Sequence, residues 1–232
     1  MRGYNLAAHS ADHTRVGSAL SRDWLASLIA ACARGLAGAS VQWINCQPKP
    51  CQRVYFANHT SHLDFVVLWS VLPKGLRKLV RPVAAKDYWN SGLRRRLAVN
   101  VFHAVLVERH ASHADGNTAA QHDPTHHSLD ALVDALGEKN SLIIFPEGTR
   151  GTGEVISPFK SGIYYLWRAR PDVEFVPVYL ANLNRVLPKG EYLPVPVVSR
   201  VVFGAPLQLQ PDMTKETFID QAHQAVCALR EI

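Results

Sequence analysis

The sequence is poor in cysteine, and none of its four, Cys32, Cys46, Cys51 and Cys227, stands in Cys-x-x-Cys spacing. That excludes a disulfide scaffold and a structural zinc ribbon, and it suits a reducing compartment. A long uninterrupted apolar run is missing too. The nearest approach, from Trp24 through Ile44, carries Arg34 near its middle and is diluted by Gly35, Gly38, Ser40 and Gln42, so it does not read as a clean transmembrane span. Asp12 and Asp23 stand ahead of that tract, where a secretory signal would need a basic region, and no cleaved leader is expected. There is no Gly-x-Ser-x-Gly elbow, which removes the usual serine nucleophile. Neither Cys46 nor Cys51 lies at a helix start that would activate it.

What is present fits one sizeable α/β domain with a short appendage: 232 residues, of which 47% are hydrophobic. Lys and Arg number 25 against 19 Asp and Glu, a formal charge of +6. The excess favours anionic partners, and by itself it suits phosphates, nucleic acid or an anionic bilayer equally.

Residues 1 to about 20 are mixed and polar, and fraying is expected there. From Trp24 to Leu36 apolar residues recur at helical spacing, with Ser21 or Asp23 as N-cap, which predicts an amphipathic helix. Such a helix can lie in a membrane interface or pack on the core. Strands are expected at 53–57, 79–85, within 99–107, and at 142–145, 175–180 and 197–203, with helices at 65–72, 128–136 and 215–229. A helix feeding the strand at 142 implies parallel pairing. A basic segment carries Lys74, Arg77, Lys78, Arg81, Lys86 and Arg94 to Arg96 beside Tyr88 and Trp89. It is either a solvated face or an attraction for anionic lipid. Residues 110–127 read as a loop containing His110, His113, His122, His126 and His127, without the cysteine spacing of a zinc site.

Two polar turns carry the chemistry. Asn58-His59-Thr60-Ser61-His62-Leu63-Asp64 lies between two apolar runs. His59 and Asp64 would stand about 140° apart on a straight helix, but a turn entering a helix can bring them together. A carboxylate on one imidazole nitrogen would leave the other free to take a proton. A polar surface turn, or a metal set of His59, His62 and Asp64, is also compatible with these residues alone. Phe145-Pro146-Glu147-Gly148-Thr149-Arg150 follows the strand at 142, and its amides, Thr149 and Arg150 could grip a phosphate. A structural reversal closed by a Glu147–Arg150 pair fits that turn as well.

Together, the His-x-x-x-x-Asp turn and the Phe-Pro-Glu-Gly-Thr-Arg block resemble the glycerolipid acyltransferase family, whose best-known members are the 1-acylglycerol-3-phosphate acyltransferases. The likeness runs from about Arg53 to Phe203. Val105-Leu106-Val107-Glu108-Arg109 is similar to the family's second block, although Ala104-Val105-Leu106 replaces the usual glycine and aromatic, and Val176-Pro177-Val178 is similar to the fourth. The resemblance implies a mixed, mostly parallel twisted sheet flanked by helices, with an N-terminal segment at 1–45 and an acyltransferase domain at 46–232. It implies acyl transfer from acyl-CoA or acyl-carrier protein, as co-substrate and without a further cofactor or metal, to a lysophospholipid hydroxyl. His59 and Asp64 would be the general base pair. Arg109, Glu147, Gly148, Thr149, Arg150 and Lys160 would form the acceptor phosphate site, and His62 would be structural. The partners expected are a lysolipid, an acyl thioester and the anionic cytoplasmic face of a membrane, not nucleic acid. Glycerol 3-phosphate, a lyso-ornithine lipid or another lysolipid is the alternative acceptor, and a membrane-binding module with a vestigial site is the non-enzymatic alternative.

Overall fold

The computed structural model describes residues 10–86, 100–107, 124–186 and 197–232. Its centre is a short apolar strand, β2 (Arg53–Ala57), buried along its whole length. Side chains alternate across a strand, so Val54 and Phe56 enter one core layer while Tyr55 and Ala57 enter the other. Full burial of Val54 or of Phe56 contributes about 1.5–3 kcal/mol.

Around β2 a seven-stranded sheet forms in the order β1-β7-β6-β2-β5-β3-β4. The other strands are β1 (Ser40–Trp43), β3 (Val80–Ala85), β4 (Val105–Val107), β5 (Ser141–Ile144), β6 (Glu174–Ala181) and β7 (Arg200–Phe203). The run from β6 to β4 is parallel, β7 pairs antiparallel with β6, and β1 pairs parallel with β7. This is the mixed, mostly parallel sheet expected. β1 itself was not anticipated, and it draws Ser40–Trp43 into the sheet, with Trp43 stacked on Phe203 at 3.8 Å between ring centroids.

Helices cover both faces. On one lie α1 (Ser10–Ala37) and α2 (Asp64–Val71), followed by the single turn α3 (Lys74–Arg77). On the other lie α4 (Pro124–Leu136), α5 (Gly162–Ala169) and α7 (Lys215–Ala228), the last capped by the Thr214 hydroxyl accepting from Thr217 N–H at 3.2 Å. A short α6 (Leu183–Val186) follows β6.

Two boundaries differ from expectation. The first helix begins at Ser10 and not near Ser21, since alanine, arginine and leucine sustain a helix without an apolar stripe to announce it. The helix expected from Ser128 is already formed at Pro124, taking His126 and His127 out of the loop.

α1 packs on the core by one face and leaves large apolar side chains exposed on the other. Ala30 and Ala37 are buried, and Leu25, Ala26 and Ile29 pack on the core, whereas Trp24, Leu28 and Leu36 are 67%, 43% and 45% exposed. No helix among the described residues is long and apolar enough to cross a membrane.

Candidate active site

β2 and β5 are adjacent and parallel, so their carboxyl ends deliver two turns to the same sheet edge, the usual place for a site in an open α/β sheet. The turn after β2 carries His59, and α2 begins with Asp64. His59 Nδ1 lies 2.8 Å from Asp64 Oδ2, and that oxygen also accepts the backbone N–H of Thr60 at 2.6 Å and of Ser61 at 2.9 Å. Asp64 is fully buried. An ionised carboxylate only accepts, so the proton between the two groups belongs on Nδ1, which leaves Nε2 as the proton acceptor. Nε2 has no hydrogen-bond partner among the described residues.

Three further contacts fix the imidazole. Its ring stacks on Phe145 at 4.3 Å between centroids and 20° between planes. The His59 N–H donates to Glu147 Oε1 at 2.6 Å, and the His59 carbonyl accepts from Gly151 N–H at 2.8 Å. Just upstream, the Asn58 amide donates to the Leu180 carbonyl at 2.9 Å and accepts the Leu180 N–H at 2.8 Å, so one side chain continues the β2–β6 ladder beyond the end of β2.

Glu147, expected at the phosphate site, is anchored by backbone. It is buried, and while one oxygen holds His59 N–H the other holds Ser157 N–H at 2.9 Å. With both oxygens engaged by backbone, it ties the two turns together. It also makes no ion pair with Arg150. The neighbouring Ile156 carbonyl lies 3.1 Å from His223 Nε2 on α7, which extends the same support to the far helix layer.

The cations gather beside this brace. Gly148 has φ +73°, and a Cβ there would come within 2.8 Å of Lys160 Cε and Nζ. Glycine therefore supplies both the left-handed turn and the room for Lys160 to cross it. The Lys160 N–H donates to the Pro146 carbonyl at 2.9 Å, which anchors its backbone to the same turn. Thr149 is exposed and Arg150 half-buried, and among the described residues neither Arg150 nor Lys160 spends its charge on an internal partner. Arg109, Tyr88, Trp89, Arg94 to Arg96 and most of the His-rich stretch lie outside the described residues. His62 stands in the turn but outside the His59–Asp64 pair. Burial is the main cause pushing the Cys46 and Cys227 thiols up, so neither is poised as a thiolate.

Phe145 and Asn58 stand within the two turns, yet their roles were not read from sequence. Ser157, Leu180 and His223 had no signal at all.

A family model described as Acyltransferase matches residues 45–181. The chain is 29% identical over 181 residues to a 1-acyl-sn-glycerol-3-phosphate acyltransferase of Limnanthes alba, covering 77% of this chain and 57% of that protein. It is 31% identical over 156 residues to the protein of the same name from Limnanthes douglasii, with 66% and 50% covered. A protein named Taffazin of Dictyostelium discoideum is 29% identical over 159 residues, with 62% and 50% covered. The chain thus spans about half the length of the curated relatives it matches. Among solved structures, the fold is similar to that of the 1-acyl-sn-glycerophosphate (LPA) acyltransferase PlsC from Thermotoga maritima. The TM-score is 0.65 at 16% identity, with 90% of this chain and 80% of that one covered.

Proposed function

The chain belongs to the acyltransferase family, and from that premise we propose that it moves an acyl chain from acyl-CoA or acyl-carrier protein to the free hydroxyl of 1-acylglycerol 3-phosphate, giving phosphatidic acid. The observation that carries the reading is the His59–Asp64 pair, whose carboxylate oxygen is held by two backbone amides while Nε2 stays unpartnered.

In this reading His59 Nε2 takes the hydroxyl proton as the oxygen attacks the thioester carbonyl. The new C–O bond forms, the C–S bond breaks, and the imidazolium returns the proton to the departing thiolate. Asp64 keeps Nδ1 protonated and steadies the imidazolium, so no acyl-enzyme is needed. Arg150 and Lys160, with Thr149 and the turn opened by Gly148, bind the acceptor phosphate. Arg109 is assigned to the same phosphate on its motif. Glu147 holds the two turns in register. No cofactor is required beyond the thioester.

The relatives from Limnanthes carry this acceptor in their names, which supports it over glycerol 3-phosphate or a lyso-ornithine lipid. The exposed Trp24, Leu28 and Leu36 on α1, together with the net positive charge, support a peripheral or monotopic seat on the cytoplasmic face of an anionic membrane. The test is thiol release and product formation from one labelled acyl thioester across a panel of lysolipids and glycerol 3-phosphate. Turnover should be highest with 1-acylglycerol 3-phosphate and vanish in His59→Ala. A different best acceptor overturns the acceptor assignment. Near-normal turnover by His59→Ala overturns the base, and vesicle binding with no turnover by the unaltered chain returns the protein to a binding module.

A further inference from the structure

α2 carries Asp64 at its first residue and Trp69 near its last turn, so its far end lies on the order of 10 Å from the dyad. It reaches the opposite edge of the parallel strands. There a cavity of about 150 Å³ opens between α1, α2, α3 and the turn at 100–103. One water needs about 10–15 Å³ of such space, so the cavity admits a much larger group. Its polar wall is Ser27, Lys74, Arg77, Lys78, Asn100 and His103, and among the described residues no carboxylate lines it.

Arg77 is fixed at this wall. The Trp69 indole N–H donates to the Arg77 carbonyl at 3.1 Å, and the guanidinium lies 5.2 Å from the centroid of the Trp69 ring. Its Nη1 is buried and has no hydrogen-bond partner among the described residues. Burial, and then the like charge of Arg34 on α1, pull the Arg77 guanidinium down from its ordinary value. A guanidinium held rigid, partly desolvated, flanked by Lys74 and Lys78, and with one buried nitrogen that has no acceptor among the described residues is an incomplete arrangement. A group bringing negative charge and several acceptor oxygens completes it, and a phosphate matches the guanidinium fork.

We propose that this cavity is a second anion site, which binds a phosphate group through Arg77, with Lys74 and Lys78 at its mouth. The group is carried either by a phospholipid headgroup or by free phosphate. The site stands on Arg77 and its surroundings and is independent of the acyl-transfer reading.

Two ligands separate the sources: inorganic phosphate titrated by calorimetry, and phosphatidylcholine vesicles with or without phosphatidylglycerol in a sedimentation assay. Arg77→Met is measured beside Arg168→Met, which removes the same cation from the exposed face of α5 in the other helix layer. Lys74→Glu, on the exposed rim, is measured beside Lys139→Glu, which makes the same charge change elsewhere. Arg77→Met and Lys74→Glu should each weaken one ligand at least tenfold, with Arg168→Met and Lys139→Glu leaving that component within about threefold. Loss of inorganic phosphate binding identifies free phosphate, and loss confined to anionic vesicles identifies a headgroup. If neither ligand is weakened beyond the two controls, the site does not exist. Should Arg77→Met fail to fold by thermal melt, Lys74→Glu against Lys139→Glu decides alone.

Discussion

The turn after β2 and the turn after β5 are neighbours on parallel strands, and each is built over a buried carboxylate, yet the two carboxylates do different work. Asp64 gathers three donors on one oxygen: two amides and the His59 ring. Glu147 divides its oxygens between the amides of His59 and Ser157. The first arrangement orients a titratable ring, while the second joins two stretches of backbone and touches no side chain that could react. Equal burial and equal charge therefore predict nothing about role; the identity of the donors does.

The comparison can be broken most directly at Asp64. Asp64→Asn must turn an NH₂ group or a single carbonyl oxygen toward three donors. In either orientation His59 loses the carboxylate charge that steadies its imidazolium, and turnover should fall by about 10²–10⁴-fold, measured as kcat with saturating acceptor. A drop below tenfold would reduce Asp64 to a structural group.

Glu147→Gln is next. The substitution leaves one of the two backbone N–H groups facing an NH₂, so a buried donor loses its acceptor, which costs about 1–3 kcal/mol. The midpoint of urea unfolding should fall accordingly. If the melt is unchanged while KM for the acceptor rises sharply, Glu147 is a ligand and the contrast with Asp64 collapses.

A smaller effect is expected from Arg150→Ala. It removes a half-buried cation with no internal partner, so KM for the acceptor should rise about tenfold, the equivalent of about 1.4 kcal/mol, with kcat within a few-fold and no loss of stability. The least effect belongs to His62→Ala, since the base pair does not include it. Its kcat should stay within about threefold, and a fall comparable to that of Asp64→Asn would mean that the wrong histidine has been assigned.

How much of this was legible depended on distance along the chain. His59 and Asp64 are close in sequence, and the turn that joins them leads straight into a helix, so their meeting follows from local rules. The strands of the parallel core announced themselves as short apolar runs, and Gly148 announced a turn. β1 did not, because Ser40–Trp43 continues an apolar tract that reads as helix, and its partner, Arg200–Phe203, lies far downstream. The same limit hid the duty of Glu147. A carboxylate beside Gly-Thr-Arg looks like part of an anion site, and nothing in the order of residues reveals that two backbone amides reach it first. Thr149, Arg150 and Lys160 kept open charge or exposure, as their surroundings in sequence suggested.

Asn58 carries a last implication, for motion and not for chemistry. Its amide clasps both backbone groups of Leu180, one residue short of the end of β6 and in the strand that bridges the parallel and antiparallel halves of the sheet. The turn that carries His59 is thereby stitched into the central β2–β6 ladder, which ties its opening to that of the sheet. Amide exchange at Leu180 should proceed only by unfolding of the whole sheet, and so should any excursion of His59.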